Sequence, residues 1–378
     1  MPTVLQVLPA LQSGGVERGT VEIVQAISQV GGTAHVASRG GTMVGAVVRA
    51  GGTHHTLPLA SKNPLVILRN AVRLIQLIRN EKIDIVHARS RAPAWSAWLA
   101  ARHTGVRFVT TYHAVYNENF PGKHTYNSVM ARGERVIAIS HHIARHIIAT
   151  HQIDPSIVRV IHRGVDAVMF DPAKISGQRI AALAAQWRVP EGQAIIMLPG
   201  RLSRWKGHAV AIDALARLAR TDVCLVLVGP DRGRHRLSQE LVARAQSLGV
   251  AERLRLVGEC ADMPAAYALA DVVVNASVEP EGFGRTVIEA QAMGRLVLAS
   301  NHGGAVETIE HGETGWRVTP GDAGALAAAL DYALSLSPEE ARAMRARARA
   351  AMLARFTTAA MQRATLDVYA DVWADVCA

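Results

Sequence analysis

Glu281 and Glu289 stand with seven residues between them, and the segment joining them, Gly282-Phe-Gly-Arg-Thr-Val-Ile288, has the makings of an anion cradle. Before it lies an apolar run, Asp271-Val-Val-Val-Asn-Ala276, that reads as a fully buried parallel strand. After it, Val287, Ile288, Ala290 and Ala292 form the packing side of a helix. Gly282 and Gly284 let the backbone approach a ligand, and the first N–H groups of the helix, on Arg285, Thr286 and Val287, point outward toward an anion such as phosphate. Glu281 precedes the helix, and Glu289 shares a face with Arg285 by the four-residue spacing. Two hydrogen-bond acceptors beside a phosphate cradle suit a hydroxyl-rich nucleotide or sugar. The competing reading is that both carboxylates only neutralise Arg285 or favour the helix dipole. Phe283 is open between packing and ligand contact.

Further groups of the same chemical kind occur elsewhere. Arg201 and Lys206 lie in Gly200-Arg-Leu-Ser-Arg-Trp-Lys-Gly207, a loop at the carboxyl end of an expected strand, where ligands of parallel sheets bind. Gly14 and Gly15 join the first strand to the first helix, a second anion-friendly turn. His113 ends the strand Phe108–Tyr112, and Arg89 and Arg91 end another, where they could meet a phosphate or carboxylate. Ser140 reads as a helix N-cap rather than a substrate contact. His141, His142, His146 and His151 lack a compact metal-ligand pattern and read as surface groups. No Asp-x-Asp pair occurs, so fixed cations rather than a metal are expected to carry developing charge. The G-x-G-x-x-G fingerprint of a nicotinamide site is absent from the first strand–helix turn.

The elements positioning these residues alternate. Strands are expected at 3–9, 34–37, 53–57, 83–87, 107–111, 136–139 and 158–162, with helical patterns such as 65–79 between most of them. After Arg163-Gly-Val-Asp-Ala-Val-Met-Phe-Asp-Pro172, which holds a Gly and a helix-breaking Pro, a second series begins: 194–198, 224–228, 255–257, 272–275, 296–299 and 316–318. This is the pattern of two doubly wound α/β domains, 1–165 and 173–356. The stretch 338–377 is Ala- and Arg-rich and helical by propensity.

With these residues in order, the chain resembles the retaining glycosyltransferases of family 4. The resemblance rests on Glu281-Gly-Phe-Gly-Arg-Thr-Val-Ile-Glu-Ala-Gln-Ala-Met-Gly294, Ser13-Gly-Gly-Val-Glu-Arg18, Gly164-Val-Asp-Ala-Val-Met-Phe-Asp-Pro172 and Gly200–Gly207, and spans nearly the whole chain. It implies the GT-B architecture, two Rossmann-like domains facing across a cleft. The final helix, 357–378, would return to the N-terminal, acceptor-binding domain, with the C-terminal domain binding the donor. It implies a metal-independent, cofactor-free transfer of a hexosyl group from a nucleotide-diphosphate sugar to a glycan or lipid-linked acceptor, in lipopolysaccharide or surface polysaccharide assembly. By this resemblance Arg201 and Lys206 bind the diphosphate, Glu289 the ribose, and Glu281 and His113 the sugar. Glu259 and Cys260 form the base-binding turn, and Gly15 lies beside the diphosphate with Gly14 toward the acceptor. Arg163 stands where the family's linker usually carries Asn. Two rivals stand beside this reading: a nucleotide-sugar epimerase or phosphorylase of the same fold, and a non-catalytic binder of anionic glycan.

Composition narrows the setting. The chain has 378 residues, comfortable for two domains. Its formal net charge of +10 favours an anionic partner, with nucleic acid, anionic lipid and phosphorylated glycan all qualifying, or marks a basic solvated surface; the resemblance implies a glycan or anionic membrane rather than nucleic acid. Cys224, Cys260 and Cys377 are scattered, with no CxxC, and suit a reducing, cytoplasmic setting. No signal peptide is read, and no apolar run reaches the ~18 residues of a membrane span. The segment 62–82 interleaves Leu65, Leu68, Leu74 and Ile75 with Arg69, Arg73 and Arg79; it packs on the sheet or lies on an anionic membrane surface.

Overall fold

Alternating apolar runs and amphipathic helices build two parallel sheets. The computed structural model describes residues 1–12, 14–119 and 121–377, with the side chains of 375–377 outside that description. Ser13, at the head of the Gly14-Gly15 turn, and the Cys377 thiol therefore lie outside the described residues. The chain divides into two compact units: Met1–Arg163 with Thr358–Ala378, and Gly164–Thr357.

Unit 1 carries β1 (Thr3–Val7), β2 (Thr33–Ser38), β3 (Thr53–Thr56), β4 (Ile85–Ala88), β5 (Arg107–Tyr112), β6 (Arg135–Ala138) and β7 (Val158–Val160). They pair in parallel in the order β3-β2-β1-β4-β5-β6-β7. The order reverses between β1 and β4, and a parallel sheet opens a ligand crevice at the carboxyl end of such a reversal. Gly14-Gly15 follows β1 and Arg89 follows β4. Val4, Ile85, Val109 and Ile137 of the sheet pack with Ile23, Val24 and Ile27 of the helix Gly15–Gln29. Met361, Val368, Tyr369 and Val372 of the last helix, Thr358–Cys377, complete this core. Each buried aliphatic side chain is worth ~1.5–3 kcal/mol, so the chain's end is as much part of unit 1 as its beginning.

Unit 2 carries β8 (Ala194–Pro199), β9 (Val223–Val228), β10 (Leu254–Gly258), β11 (Val272–Asn275), β12 (Leu296–Ser300) and β13 (Trp316–Val318), in the order β10-β9-β8-β11-β12-β13. Here the reversal falls between β8 and β11. The loops leaving their carboxyl ends are 200–207 and 276–284, the two segments singled out by their chemistry.

The helical propensity of 338–377 is realised as two helices, Pro338–Arg355 and Thr358–Cys377. The break falls at Phe356, whose ring is buried and whose carbonyl accepts from the Val165 N–H at 2.9 Å. That bond closes the two connections, 164–165 and 356–357, side by side. Among the described residues no helix is long and apolar enough to cross a membrane.

Candidate active site

In unit 2 the site grows from the ends of β8 and β11. Val278 donates its N–H to the Trp205 carbonyl at 2.7 Å, tying the two loops together. Gly207 closes the first loop with φ 73°, and any Cβ there would run into the Ala276 carbonyl, so glycine is required for both conformation and space. The second loop ends at Gly284, φ 88°, which starts the helix Arg285–Ala292 without a side-chain cap. A third segment supports the turn from behind: the Gly304 N–H donates to the Glu281 carbonyl at 2.8 Å, and His302 Nε2 meets the Ser277 carbonyl at 2.8 Å.

These loops bring Lys206 Nζ to 2.6 Å from Glu281 Oε1, with both side chains largely buried. Ser277 donates its hydroxyl to the same oxygen. Burial alone would raise the Glu281 carboxyl; Lys206, by charge and hydrogen bond, with Ser277 and Asn275, overcomes it and holds the group ionised, below its ordinary range. Lys206 Nζ also stands 4.5 Å above the Trp205 ring, and the Arg201 guanidinium 5.8 Å from it. Arg201 is depressed by partial burial and by Arg234 and Arg232, with Glu281 opposing. Arg234 and Arg232 thus add to the positive field around Arg201. Arg234 donates to the Leu202 carbonyl at 2.6 Å and so pins the loop that carries Arg201.

Glu289 accepts from the Tyr267 hydroxyl at 2.8 Å and pairs with Arg285 at 3.5 Å. Thr286 Oγ1 accepts from Asn275 at 3.3 Å. One expectation needs correction, and one open reading closes. The Val287 N–H is not aimed outward, because it donates to the Gly284 carbonyl at 3.0 Å. The Phe283 ring is buried edge-on to Phe356, centroids 5.5 Å apart, so it packs and only its backbone can face a ligand. Glu259 and Cys260 follow β10; Glu259 lines a pocket with Gly229, Pro230, Asp231 and Gly258, and burial pushes the Cys260 thiol up.

In unit 1, Gly14 and Gly15 are exposed at the start of the first helix. His113 follows β5, its Nε2 buried without a hydrogen-bond partner. Burial and then the charges of Arg89 and Arg163 hold its pKa well below the ordinary imidazole value. Arg89, expected at the end of its strand where it could meet a phosphate or carboxylate, lies there and is 2% exposed, with Nη1 on Gln6 Oε1 at 2.9 Å. Arg91 is occupied by Asn127 Oδ1 at 2.8 Å and lies 4.0 Å over the Tyr116 ring. Ser140 caps its helix, accepting from the Ile143 N–H at 3.1 Å. His151, read as a surface group, is half-buried and bonded to the Tyr112 hydroxyl at 2.6 Å.

Glu281, Glu289, Arg201, Lys206 and the Gly-x-Gly turn thus share one end of unit 2. Ser277, Tyr267, His302, Gly304 and Arg234 join them unforeseen. Ser277 could have been found as the second residue past a strand's carboxyl end; Tyr267 could not, since its helix position reads as core.

The family model for group 1 glycosyl transferases matches residues 180–351, and that for Glycosyltransferase Family 4 matches residues 13–168. A glycosyltransferase from Rickettsia africae ESF-5, known by its crystal structure, is 39% identical, covers 98% of both chains and superposes with a TM-score of 0.91. The chain belongs to glycosyltransferase family 4, with the GT-B fold. Within that family, D-inositol 3-phosphate glycosyltransferase of Mycobacterium sp. strain KMS is 32% identical over 273 residues, 68% of this chain and 61% of that protein. This family member therefore aligns with less than two thirds of that relative's length. Anabaena Alr3699/HepE, crystallised with UDP and glucose, shares the fold at 23% identity, a TM-score of 0.86, and coverage of 98% and 100% of the two chains.

Proposed function

We propose that this glycosyltransferase moves a hexosyl group, with retention of anomeric configuration, from a nucleoside-diphosphate sugar held by unit 2 to a glycan or glycolipid acceptor bound by unit 1. The observation carrying this is the Lys206–Glu281 pair set beside Arg201 and the uncapped helix start at Arg285. Departure of the sugar leaves negative charge on the diphosphate, and preorganised cations and N–H groups in a partly dry site offset it. Arg201 and Lys206 hold the diphosphate, Glu289 the ribose, and Glu281 and His113 the sugar, while the turn at Glu259 and Cys260 holds the base. No metal is needed in this scheme. The C1–O bond to the diphosphate breaks, the acceptor oxygen bonds to C1 on the same face, and its proton passes to the departing phosphate oxygen. A UDP-bound structural neighbour makes UDP-sugars the first donors to try. The net charge of +10 suits an anionic acceptor such as a lipopolysaccharide or other surface glycan precursor.

Membrane contact belongs to the same proposal. On the helix Pro64–Asn80, Leu65, Leu68 and Val72 share one face and are 67%, 55% and 56% exposed. Lys62, Arg69, Arg73 and Arg79 are exposed beside them. Aliphatic side chains ringed by cations fit an anionic bilayer surface, as on the cytoplasmic leaflet.

The test is to incubate the protein with UDP-, GDP- and ADP-sugars and phosphorylated or lipid-linked acceptors, and to read product anomers by NMR. Transfer with retention from one donor class is expected; epimerised donor, phosphorolysis or no turnover of any donor would refute the reading.

A further inference from the structure

The Ala- and Arg-rich stretch, which the proposed function leaves unused, begins with the helix Pro338–Arg355 of unit 2. Of the arginines on that helix, Arg347 meets Glu313 at 3.3 Å, Arg349 meets Asp171 at 3.4 Å and Arg355 meets Glu310 at 3.8 Å. Arg342 and Arg345 have no such carboxylate among the described residues. They stand three positions apart, on one face of the helix. Both line a cleft of about 670 Å³ together with Gln193, Arg220, Asp222 and Asp271. The cleft runs along the amino ends of β8 and β11, whose carboxyl ends carry the loops 200–207 and 276–284. A strand's length, roughly 13–20 Å, separates it from those loops, so it is no part of the site they build.

The charges around the cleft do not balance. Arg220 is held by both oxygens of Asp222, at 2.8 and 2.7 Å, which closes that pair. Asp271 accepts from the Ile195 N–H at 2.8 Å, and Asp331 acts on Arg220 only from further off. Arg295 donates to the carbonyls of Met293 and Ala270, at 3.0 and 3.1 Å, and to no carboxylate. Burial and then the like charge of Arg345 depress Arg295, with Asp271 opposing. Arg220, Arg295, Arg342 and Arg345 thus stand against Asp222, Asp271 and Asp331, and a cation is left over. Two buried polar atoms on residues lining this same cleft also lack hydrogen-bond partners: Arg345 Nε, a donor, and Gln193 Oε1, an acceptor. Such atoms are rare enough in native proteins to require an occupant or a cause. A phosphoryl group supplies the missing charge and accepts from guanidinium N–H groups, and a hydroxyl carried with it donates to Gln193.

We propose that this cleft is a second ligand site in unit 2, in which Arg342 and Arg345 bind a phosphoryl group. Clefts of this size take small molecules, and the phosphoryl group is that of free phosphate or of a phosphorylated sugar. The site is independent of the glycosyltransferase reading, since it needs neither a sugar donor nor its transfer.

The test uses the full-length protein with ¹⁵N-labelled glutamine side chains, the Gln193 amide signal being assigned by its loss in Gln193→Leu. Inorganic phosphate is titrated in one arm and glucose 6-phosphate in the other, with glucose as the uncharged control. Both phosphorylated probes should move the Gln193 signal in a saturable way, and glucose should not. Arg345→Met should raise the apparent Kd about tenfold or more through loss of a charge-assisted hydrogen bond. Its urea midpoint without ligand should be no lower than that of the wild type, because a like charge beside Arg295 is removed. Arg342→Met, at an exposed position, should weaken binding in the same direction with the midpoint unchanged. Tighter binding of glucose 6-phosphate assigns the site to a phosphorylated sugar, and tighter binding of phosphate assigns it to the free anion. A Gln193 signal that neither probe moves, that glucose moves as far, or that responds equally in both arginine variants and the wild type overturns the site.

Discussion

The two units solve the same electrostatic problem in opposite ways. In unit 2 the central cation is matched before any ligand arrives: Lys206 has Glu281 at 2.6 Å, and Ser277 fills part of the carboxylate's remaining capacity. In unit 1 the central cation, Arg89, is buried against a neutral amide. The same sheet geometry, a strand-order reversal with polar side chains at its carboxyl edge, therefore sets one cation against a carboxylate and the other against a neutral amide.

The largest effect that sharpens this contrast is expected from Lys206→Ala. Transfer should fall roughly 10²–10³-fold through lost stabilisation of the leaving diphosphate. Because Glu281 is left buried and unpaired, unit 2 should also lose on the order of 3–5 kcal/mol, measured by urea unfolding. Equal stability of Lys206→Ala and wild type would break the contrast.

Gly207→Ala comes next. Its left-handed φ and the approach of the Ala276 carbonyl predict a loss of at least ~1–3 kcal/mol, seen as a lower urea midpoint. A midpoint unchanged within error would show that the 200–207 and 276–284 loops are not held this close.

Glu281 gives a pH signature of the same pair. Its folded pKa is below the unfolded value, so its ionised form contributes stability above the ordinary carboxylate range, and this is lost as pH falls through that range toward the lower folded value. Unfolding free energies measured from pH ~6 to ~3 should fall less steeply in Glu281→Gln than in wild type. Parallel slopes would mean that the carboxylate is not held by Lys206.

The smallest expected effect belongs to the exposed face of the helix Pro64–Asn80. Leu65→Ser with Leu68→Ser should weaken co-sedimentation with phosphatidylglycerol-containing vesicles by about tenfold, leaving stability nearly unchanged since neither side chain is in the core. Unchanged vesicle binding would remove the membrane contact from the account.

Much of unit 2's site was legible in the chain. The run Val272–Asn275, the glycines at 282 and 284 and the two glutamates are local in sequence, and local pattern suffices to place a strand, a turn and a helix start in order. What supports that turn was not legible: Gly304 and His302 come from beyond the next strand, and Tyr267 from the preceding helix, joined only by folding. The burial of Arg89 was not legible either, because nothing at its strand end says that Gln6, 83 positions earlier, takes its guanidinium. Phe283 was open between two roles because Phe356, its packing partner, lies 73 positions away. The exposed Leu65, Leu68 and Val72 illustrate the converse, since periodicity alone does not say which apolar positions a neighbouring helix will cover.

The most direct measurement is release of free nucleotide from a panel of UDP-, GDP- and ADP-sugars, in excess EDTA, by the wild type and by Lys206→Ala. One donor class should be turned over by the wild type at a rate unaffected by EDTA, and that rate should collapse in Lys206→Ala. Turnover that vanishes with EDTA and returns with Mn²⁺ or Mg²⁺, or that survives the loss of Lys206, would contradict a diphosphate held by this chain's own cations.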